Sequence, residues 1–186
     1  MKKVFPFLMI GYISIIGGVN CASAQQMQQS FKFKGINFEK LEQEQAITET
    51  STKPVSAPGI SLTTISKKAL KDFKRTFKQA INESWFETKE GDLVAKFSND
   101  NVTTRVFYHK KGGRFATIRD YTEENLPRNV RHVVKSTYYD FSIFCVSEVT
   151  VDGRTAYVIT LEDKTTWKKI RVIDEEIIED FNYVKG

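Results

Sequence analysis

The spacing of hydrophobic residues changes three times after residue 60, and each change marks a different kind of element. Between residues 62 and 81 apolar side chains recur every three or four positions, which is the period of an amphipathic helix. Six basic residues, from Lys67 to Lys78, fall mostly on its other faces and predict a solvated outer surface. The residues of the predicted buried stripe are Leu62, Ile65, Ala69, Phe73, Phe77 and Ile81.

Three strands are predicted after this helix, followed by a second helix and four more strands. The stretches LVAKF, VTTRVFY and RFATI alternate in polarity or are rich in β-branched and aromatic residues, and KKGG precedes the last of them as a turn. Helical spacing then returns, with Pro127 in the first turn, where proline is tolerated. The apolar residues that carry this spacing are Leu126, Val130, Val133 and Val134. Turns at residues 152–153, 162–164 and 174–176 separate the last four strands.

The order helix, strands, helix, strands predicts an α+β fold that uses one unit twice. Consecutive strands joined by short turns should form an antiparallel sheet, and the two amphipathic helices should cover one face of it. We predict one domain at residues 61–186, with tandem units at about 61–120 and 121–186. An offset of 64 residues aligns two adjacent strands of the two units in hydrophobic character, without identity.

The N-terminal residues have the pattern of a signal peptide. Two lysines precede an apolar run that is interrupted by glycine and short for a membrane span. The small residues of ASA predict a signal peptide at residues 1–24 that is cleaved after Ala24. The alternative is a lipoprotein modified at Cys21, but Asn20 is bulkier and more polar than the small residue such a site needs. We therefore expect a periplasmic or secreted protein without a stable membrane anchor.

Residues 25–60 are predicted to be a flexible linker. They are rich in Gln, Glu, Ser, Thr and Lys and end in a segment with two prolines and a glycine. Flexible segments also carry scattered aromatic residues, so one feature of this region stays open. The stretch FKFKGINF could dock as a short strand through Phe31, Phe33, Ile36 and Phe38.

Charge and residue types exclude several classes of function. Without the two leader lysines, 26 Lys and Arg stand against 23 Asp and Glu, which is too even a balance to predict a nucleic-acid partner. Cys145 is the cysteine that remains, so no intramolecular disulfide is expected, and its apolar neighbours predict a buried residue. His109 and His132 are too isolated for a zinc site or a catalytic pair. With no phosphate loop or EF-hand motif, we expect no metal, no cofactor and no enzymatic activity.

Several stretches occur in the order found in a family of secreted bacterial proteins. They are ALKDFKRTFKQAINESW, LVAKF, RVFYHKKGG, ENLPRNV and AYVITL, which lie within roughly residues 62–184. In this order the chain resembles the PepSY-like, β-lactamase-inhibitor-like family. The resemblance implies two related α+β units, an extracytoplasmic location and no established enzymatic chemistry. Some members of that family resemble an inhibitor protein that binds an enzyme through its sheet. The chain departs from the commoner acidic-Gly turn at residues 110–113 and 174–176, so no turn-based site is carried over.

A candidate binding surface comes from alternation in the predicted strand TTWKKIRV. Alternation puts Trp167, Lys169 and Arg171 on one face and Ile170 and Val172 on the other. An aromatic-basic set suits an interface, because tryptophan buries a large apolar body and keeps a polar handle. We expect this set to be exposed on the open face of the sheet and to bind a protein or peptide partner. Oligomeric state is not predicted. The alternative function is an envelope structural or stress accessory protein with no discrete ligand.

Overall fold

The segments with helical and alternating spacing fold into two helices and one large sheet. The computed structural model describes residues 32–33, 36–37, 65–88 and 90–185. The predicted signal peptide and most of the predicted linker lie outside these residues. The helices in this described part of the chain are α1 (Lys67–Thr76) and α2 (Arg128–Thr137), and a 3-10 turn (Glu123–Asn125) precedes α2.

The strands of the described residues form two groups. A short antiparallel pair consists of β1 (Lys32–Phe33) and β2 (Ile36–Asn37). The strands of the large sheet are β3 (Ser84–Glu87), β4 (Leu93–Asn99), β5 (Val102–Tyr108), β6 (Arg114–Tyr121), β7 (Ser142–Val151), β8 (Arg154–Glu162), β9 (Thr166–Ile173) and β10 (Glu176–Val184).

Each strand of the large sheet pairs with its neighbours in the sequence. The spatial order runs from β10 to β3 without a crossover, and every neighbouring pair is antiparallel. Tight turns impose this order, because three of the hairpins close through two residues with positive φ, the geometry that suits the twist of antiparallel strands. These turns are Asp100-Asn101, Asp152-Gly153 and Asp174-Glu175. The structure is α+β, with an eight-stranded antiparallel sheet and two helices, which confirms the predicted fold class.

Helix α1 packs on the β3–β5 end of the sheet. Ala69 and Phe73 are buried against a cluster that includes Trp85 and Phe97, and the six basic residues of the helix segment are exposed as expected. The predicted helix is too long at its C-terminal end. Phe77 leaves helical geometry and caps the helix, and Ile81 is 63% exposed. Phe77 is half-buried beside the cluster, so its packing role is smaller than the sequence predicts.

Strand β3 is a correction to the sequence prediction, which gave only three strands between the two helices. It is four residues long and only Trp85 is buried, so its sequence has no alternating hydrophobic pattern that would predict a strand. Trp85 pairs with Ala95 of β4 and stacks on Tyr108 at a ring-centroid distance of 5.8 Å. The first helix is therefore followed by four strands, and not by three.

Helix α2 begins at Arg128, directly after Pro127, as the sequence predicts. Val130 and Val134 are buried against the β7–β9 end of the sheet. The cluster they join is formed by Val102, Tyr121, Leu126, Ile143, Val146, Ile159, Leu161, Ile170 and Val172. Both helices thus lie on the same face of the sheet. Cys145, on β7, is 6% exposed, which agrees with its predicted burial.

The KKGG turn is tied to α1 by a close approach at Gly112. This residue has a φ of +84°, and a Cβ placed there would lie 2.5 Å from the Ser66 hydroxyl and 2.8 Å from the Ala69 amide nitrogen. A side chain fits neither the backbone conformation nor the space. The contact fixes the β5–β6 turn against the first turn of α1.

Candidate functional site

The face of the large sheet opposite α1 and α2 is the candidate site, and we call it the far face. Ile170 and Val172 of β9 are buried on the helix side. Since neighbouring residues of a strand point to opposite faces, Trp167, Lys169 and Arg171 lie on the far face. Cross-strand pairing agrees, because Trp167 pairs with Tyr183 and Glu162.

A buried apolar cluster occupies the β5–β7 part of the far face. We call it the far-face cluster, and it contains no residue from either helix. Val94, Phe115 and Val158 pack against its rim. Its members and their exposed fractions are Phe107 1%, Ala116 2%, Ile118 2%, Val149 4% and Val151 5%.

A polar network borders the far-face cluster. Asp120 on β6 accepts a hydrogen bond from Arg105 on β5 at 2.5 Å and another from the Ser147 hydroxyl on β7 at 2.7 Å. The Arg105 and Asp120 side chains are 10% and 17% exposed. Among the hydrogen bonds of the described residues, none involves the buried Nε of Arg105. A buried donor of this kind is costly until it meets an acceptor.

Exposed apolar side chains gather at the β10 end of the far face. The ring of Phe144, on β7, lies edge-on to Trp167 at 4.9 Å, and the ammonium group of Lys185 lies 4.4 Å from the centre of the Trp167 ring. We call this region the edge patch: Phe144, Trp167 and Tyr183, the cross-strand partner of Trp167. Phe144 and Tyr183 are 36% and 44% exposed.

The three residues predicted as a binding set share one face, but they are half-buried rather than fully exposed. Arg171 forms a bidentate ion pair with Asp180 on β10, with distances of 2.7–2.9 Å between guanidinium nitrogens and carboxylate oxygens. The Asp180 side chain is 2% exposed. Trp167 is shielded by Phe144 and Lys185. The difference arises because neighbouring strands supply contacts that alternation within one strand does not reveal.

Sequence reasoning missed Phe144 and the Arg105–Asp120 pair. Phe144 lies at an irregularity in the β7–β8 register, where simple alternation fails and an extra residue changes which face is presented. Arg105 and Asp120 are 15 residues apart, so only the pairing of β5 with β6 brings them together. A charged residue inside the otherwise apolar and β-branched run VTTRVFY is the signal that could have drawn attention to Arg105.

The chemistry available in the described ranges is that of contact surfaces. In residues 65–88 and 90–185, no group of three or more His, Cys, Asp and Glu side chains is arranged to hold a metal ion. His109 stacks on Phe115 at 4.3 Å, and His132 is exposed on α2. Neither α1 nor α2 is long and apolar enough to cross a membrane.

Comparison with known proteins bears on the fold. No family model matches the sequence, and no curated protein matches it significantly. A DUF2874 family protein from Bacteroides ovatus is similar in structure, with 16% identity, 63% of this chain and 86% of that chain covered, and a TM-score of 0.50. A DUF2874 family protein from Bacteroides uniformis is also similar, with 16% identity, 64% of this chain and 89% of that chain covered, and a TM-score of 0.50. A BLIP-like protein from Bacteroides fragilis has 17% identity to this chain, with 66% of this chain and 89% of that chain covered and a TM-score of 0.51.

At these identities the likeness shows a shared fold. The BLIP-like description agrees with the β-lactamase-inhibitor-like part of the resemblance drawn from the sequence. The PepSY-like part of that resemblance stays a prediction.

Proposed function

We propose that this protein binds a protein or peptide partner through the edge patch of the far face and catalyses no reaction. The observation that carries the proposal is the grouping of Phe144 and Tyr183, both at least 36% exposed, with Trp167: the Phe144 ring contacts the Trp167 ring, and Tyr183 is the cross-strand partner of Trp167. Contiguous exposed apolar side chains on a soluble domain are typical of interaction surfaces. Aromatic residues at their centre supply most of the binding energy in many interfaces.

Charged groups beside the edge patch favour a polypeptide partner over a purely apolar ligand. Lys185 lies over the Trp167 ring and also contacts Glu162 at 3.3 Å. An apolar centre with a charged rim is the usual composition of a protein interface.

The signal-peptide pattern supports a location outside the cytoplasm for this protein, and the BLIP-like neighbour supports binding to another protein. The leader pattern predicts export, and a far face outside the cytoplasm is part of this proposal. The neighbour from Bacteroides fragilis is described as BLIP-like, and an inhibitor-like protein acts by holding another protein. We therefore propose a periplasmic or secreted binding protein, with inhibition of an enzyme as one form that the binding could take.

Trp167→Ala should weaken partner binding by about 2 kcal/mol or more, because it removes the aromatic centre of the edge patch. Binding is measured by titrating captured partner from envelope extract of the cells that naturally make the protein. Tyr139→Ala is the control, since Tyr139 is 84% exposed and follows α2, away from the edge patch. Equal capture by wild type, Trp167→Ala and Tyr139→Ala, all folded, would move the binding surface away from Trp167.

A further inference from the structure

The far-face cluster is as buried as the core beneath the helices, although both helices pack on the other side of the sheet. Phe107 and Ile118 are 1% and 2% exposed, and the helix-side residues Phe73 and Val130 are 2% and 4% exposed. A side chain on one uncovered face of a sheet keeps its outer end in water. Within the described ranges, neither a helix nor a strand of the large sheet supplies the cover.

Arg105 gives a second indication that a further segment packs over the far face. Its side chain is 10% exposed, and its Nε is buried without a hydrogen-bond partner in the described part of the chain. Burying such a donor is unfavourable unless an acceptor is nearby. The backbone carbonyls of an extended segment lying over the far face are acceptors of the required kind.

The chain holds a segment whose pattern fits this role. In the pair β1–β2, Phe33 is paired with Ile36 and Lys32 with Asn37, and the alternation of apolar and polar residues in the sequence predicts one apolar and one polar face. The sequence extends the apolar face on both sides with Phe31 and Phe38. A two-stranded hairpin is marginally stable alone and needs an apolar surface to pack on.

The connection between this hairpin and α1 is long enough for the contact. Residues 38–64 separate β2 from Ile65, and at about 3.3 Å per residue they reach roughly 90 Å when extended. That length exceeds the span of an eight-stranded sheet, whose strands lie about 4.8 Å apart. A tethered segment also acts at an effective concentration on the order of millimolar, which favours it over a second copy of the chain.

We propose that residues 31–38 cover the far-face cluster of the same molecule, with the apolar face of the β1–β2 hairpin packed on Phe107, Ile118 and Val149. The far face then has two parts: a cluster occupied by the chain's own hairpin, and the edge patch beside it. The hairpin is an internal ligand that limits how much of the far face a partner can reach. This inference does not require a partner, so it stands or fails independently of the proposed function.

The test measures solvent access to methyl groups on the two faces of the sheet in the full chain. A soluble paramagnetic agent is added, and methyl relaxation is recorded by NMR. Ile118 and Val149 report the far face, and Ile159 and Val146 report the helix side from neighbouring positions. The double variant Phe33→Asp, Ile36→Asp removes the apolar face of the hairpin. The matched control, Lys32→Asp with Asn37→Asp, changes its polar face.

We expect a several-fold increase in paramagnetic relaxation at Ile118 and Val149 in the Phe33→Asp, Ile36→Asp variant. Ile159 and Val146 should not change, and the control variant should behave like the wild type. Unchanged protection at Ile118 and Val149 in the folded double variant would overturn the proposal, because the eight strands would then bury the cluster themselves. Protection that weakens on dilution of the wild type would also overturn it, in favour of a second copy.

A second measurement covers the case in which the double variant fails to fold. A photo-crosslinking amino acid replaces Phe33 in the full chain, and the intramolecular adducts are mapped by mass spectrometry at low protein concentration. Adducts on peptides from β5, β6 and β7 that carry far-face residues support the proposal. Adducts confined to α1, α2 or other segments contradict it.

Discussion

Phe73→Ala should lower the free energy of unfolding by about 3–5 kcal/mol, the range measured for removing a buried phenylalanine. The Phe73 side chain is 2% exposed. Its ring packs against those of Phe77, Trp85 and Phe97, at centroid distances of 5.4, 5.3 and 5.5 Å. These neighbours come from the helix end and from two strands, so the cavity cannot close by moving one side chain. Urea-induced unfolding, followed by circular dichroism, gives the change.

Two neighbouring substitutions calibrate this result. Lys74→Ala should be nearly neutral, because Lys74 is exposed on the outer side of α1. Phe77→Ala should cost less than Phe73→Ala, because Phe77 is half-buried at the helix end, although the sequence places both in the same predicted buried stripe. A Phe73→Ala variant as stable as Lys74→Ala would mean that α1 presents a different face to the sheet.

Alkaline pH should destabilise the protein steeply through Tyr108 and Tyr121. Burial raises the pKa of the Tyr121 phenol, and its hydrogen bond to Glu148 at 2.6 Å raises that pKa further. Burial likewise raises the pKa of Tyr108, together with the charge of Asp72, whose carboxylate accepts its hydrogen bond at 3.1 Å. An unfolded tyrosine has a pKa of about 10. Above that pH the unfolded chain therefore releases protons that the folded chain still holds.

The direction in which stability changes with pH follows from proton linkage. Stability from both tyrosines is fully present below pH 10 and is lost as pH rises toward their folded pKa values. Each tyrosine contributes a slope of about 1.4 kcal/mol per pH unit in this range. Tyr121→Phe should be less stable than wild type at pH 7, having lost a hydrogen bond, but its deficit should shrink above pH 10. A deficit that stays constant to pH 12, measured by urea unfolding, would contradict the raised pKa.

The fold was largely predictable because its main signals are local. Alternation within TTWKKIRV predicts the two faces of β9 correctly, and the spacing after Pro127 predicts the start of α2. Features that depend on contacts between neighbouring strands could not be predicted from the sequence. Strand β3 has one buried residue and no period.

The candidate site was only partly predictable for the same reason. Trp167 could be placed on a face from its own strand, but its contact with Phe144 depends on a register irregularity in β7. The far-face cluster collects residues from β5, β6 and β7, and their sequence pattern does not show that both faces of these strands are buried. Long-range pairing decides such features, and one strand's sequence does not encode it.

We propose that the far face, and not the helix side, holds the partner. A crosslinking experiment distinguishes the two faces: the full chain carries a photo-crosslinking amino acid at Tyr183 of the edge patch or at Tyr139 after α2, both exposed positions. Each protein is irradiated in envelope extract of its natural cells. We expect a discrete adduct from position 183 that Trp167→Ala abolishes, and no matching adduct from position 139. The same adduct from both positions, or from position 139 alone, would contradict it.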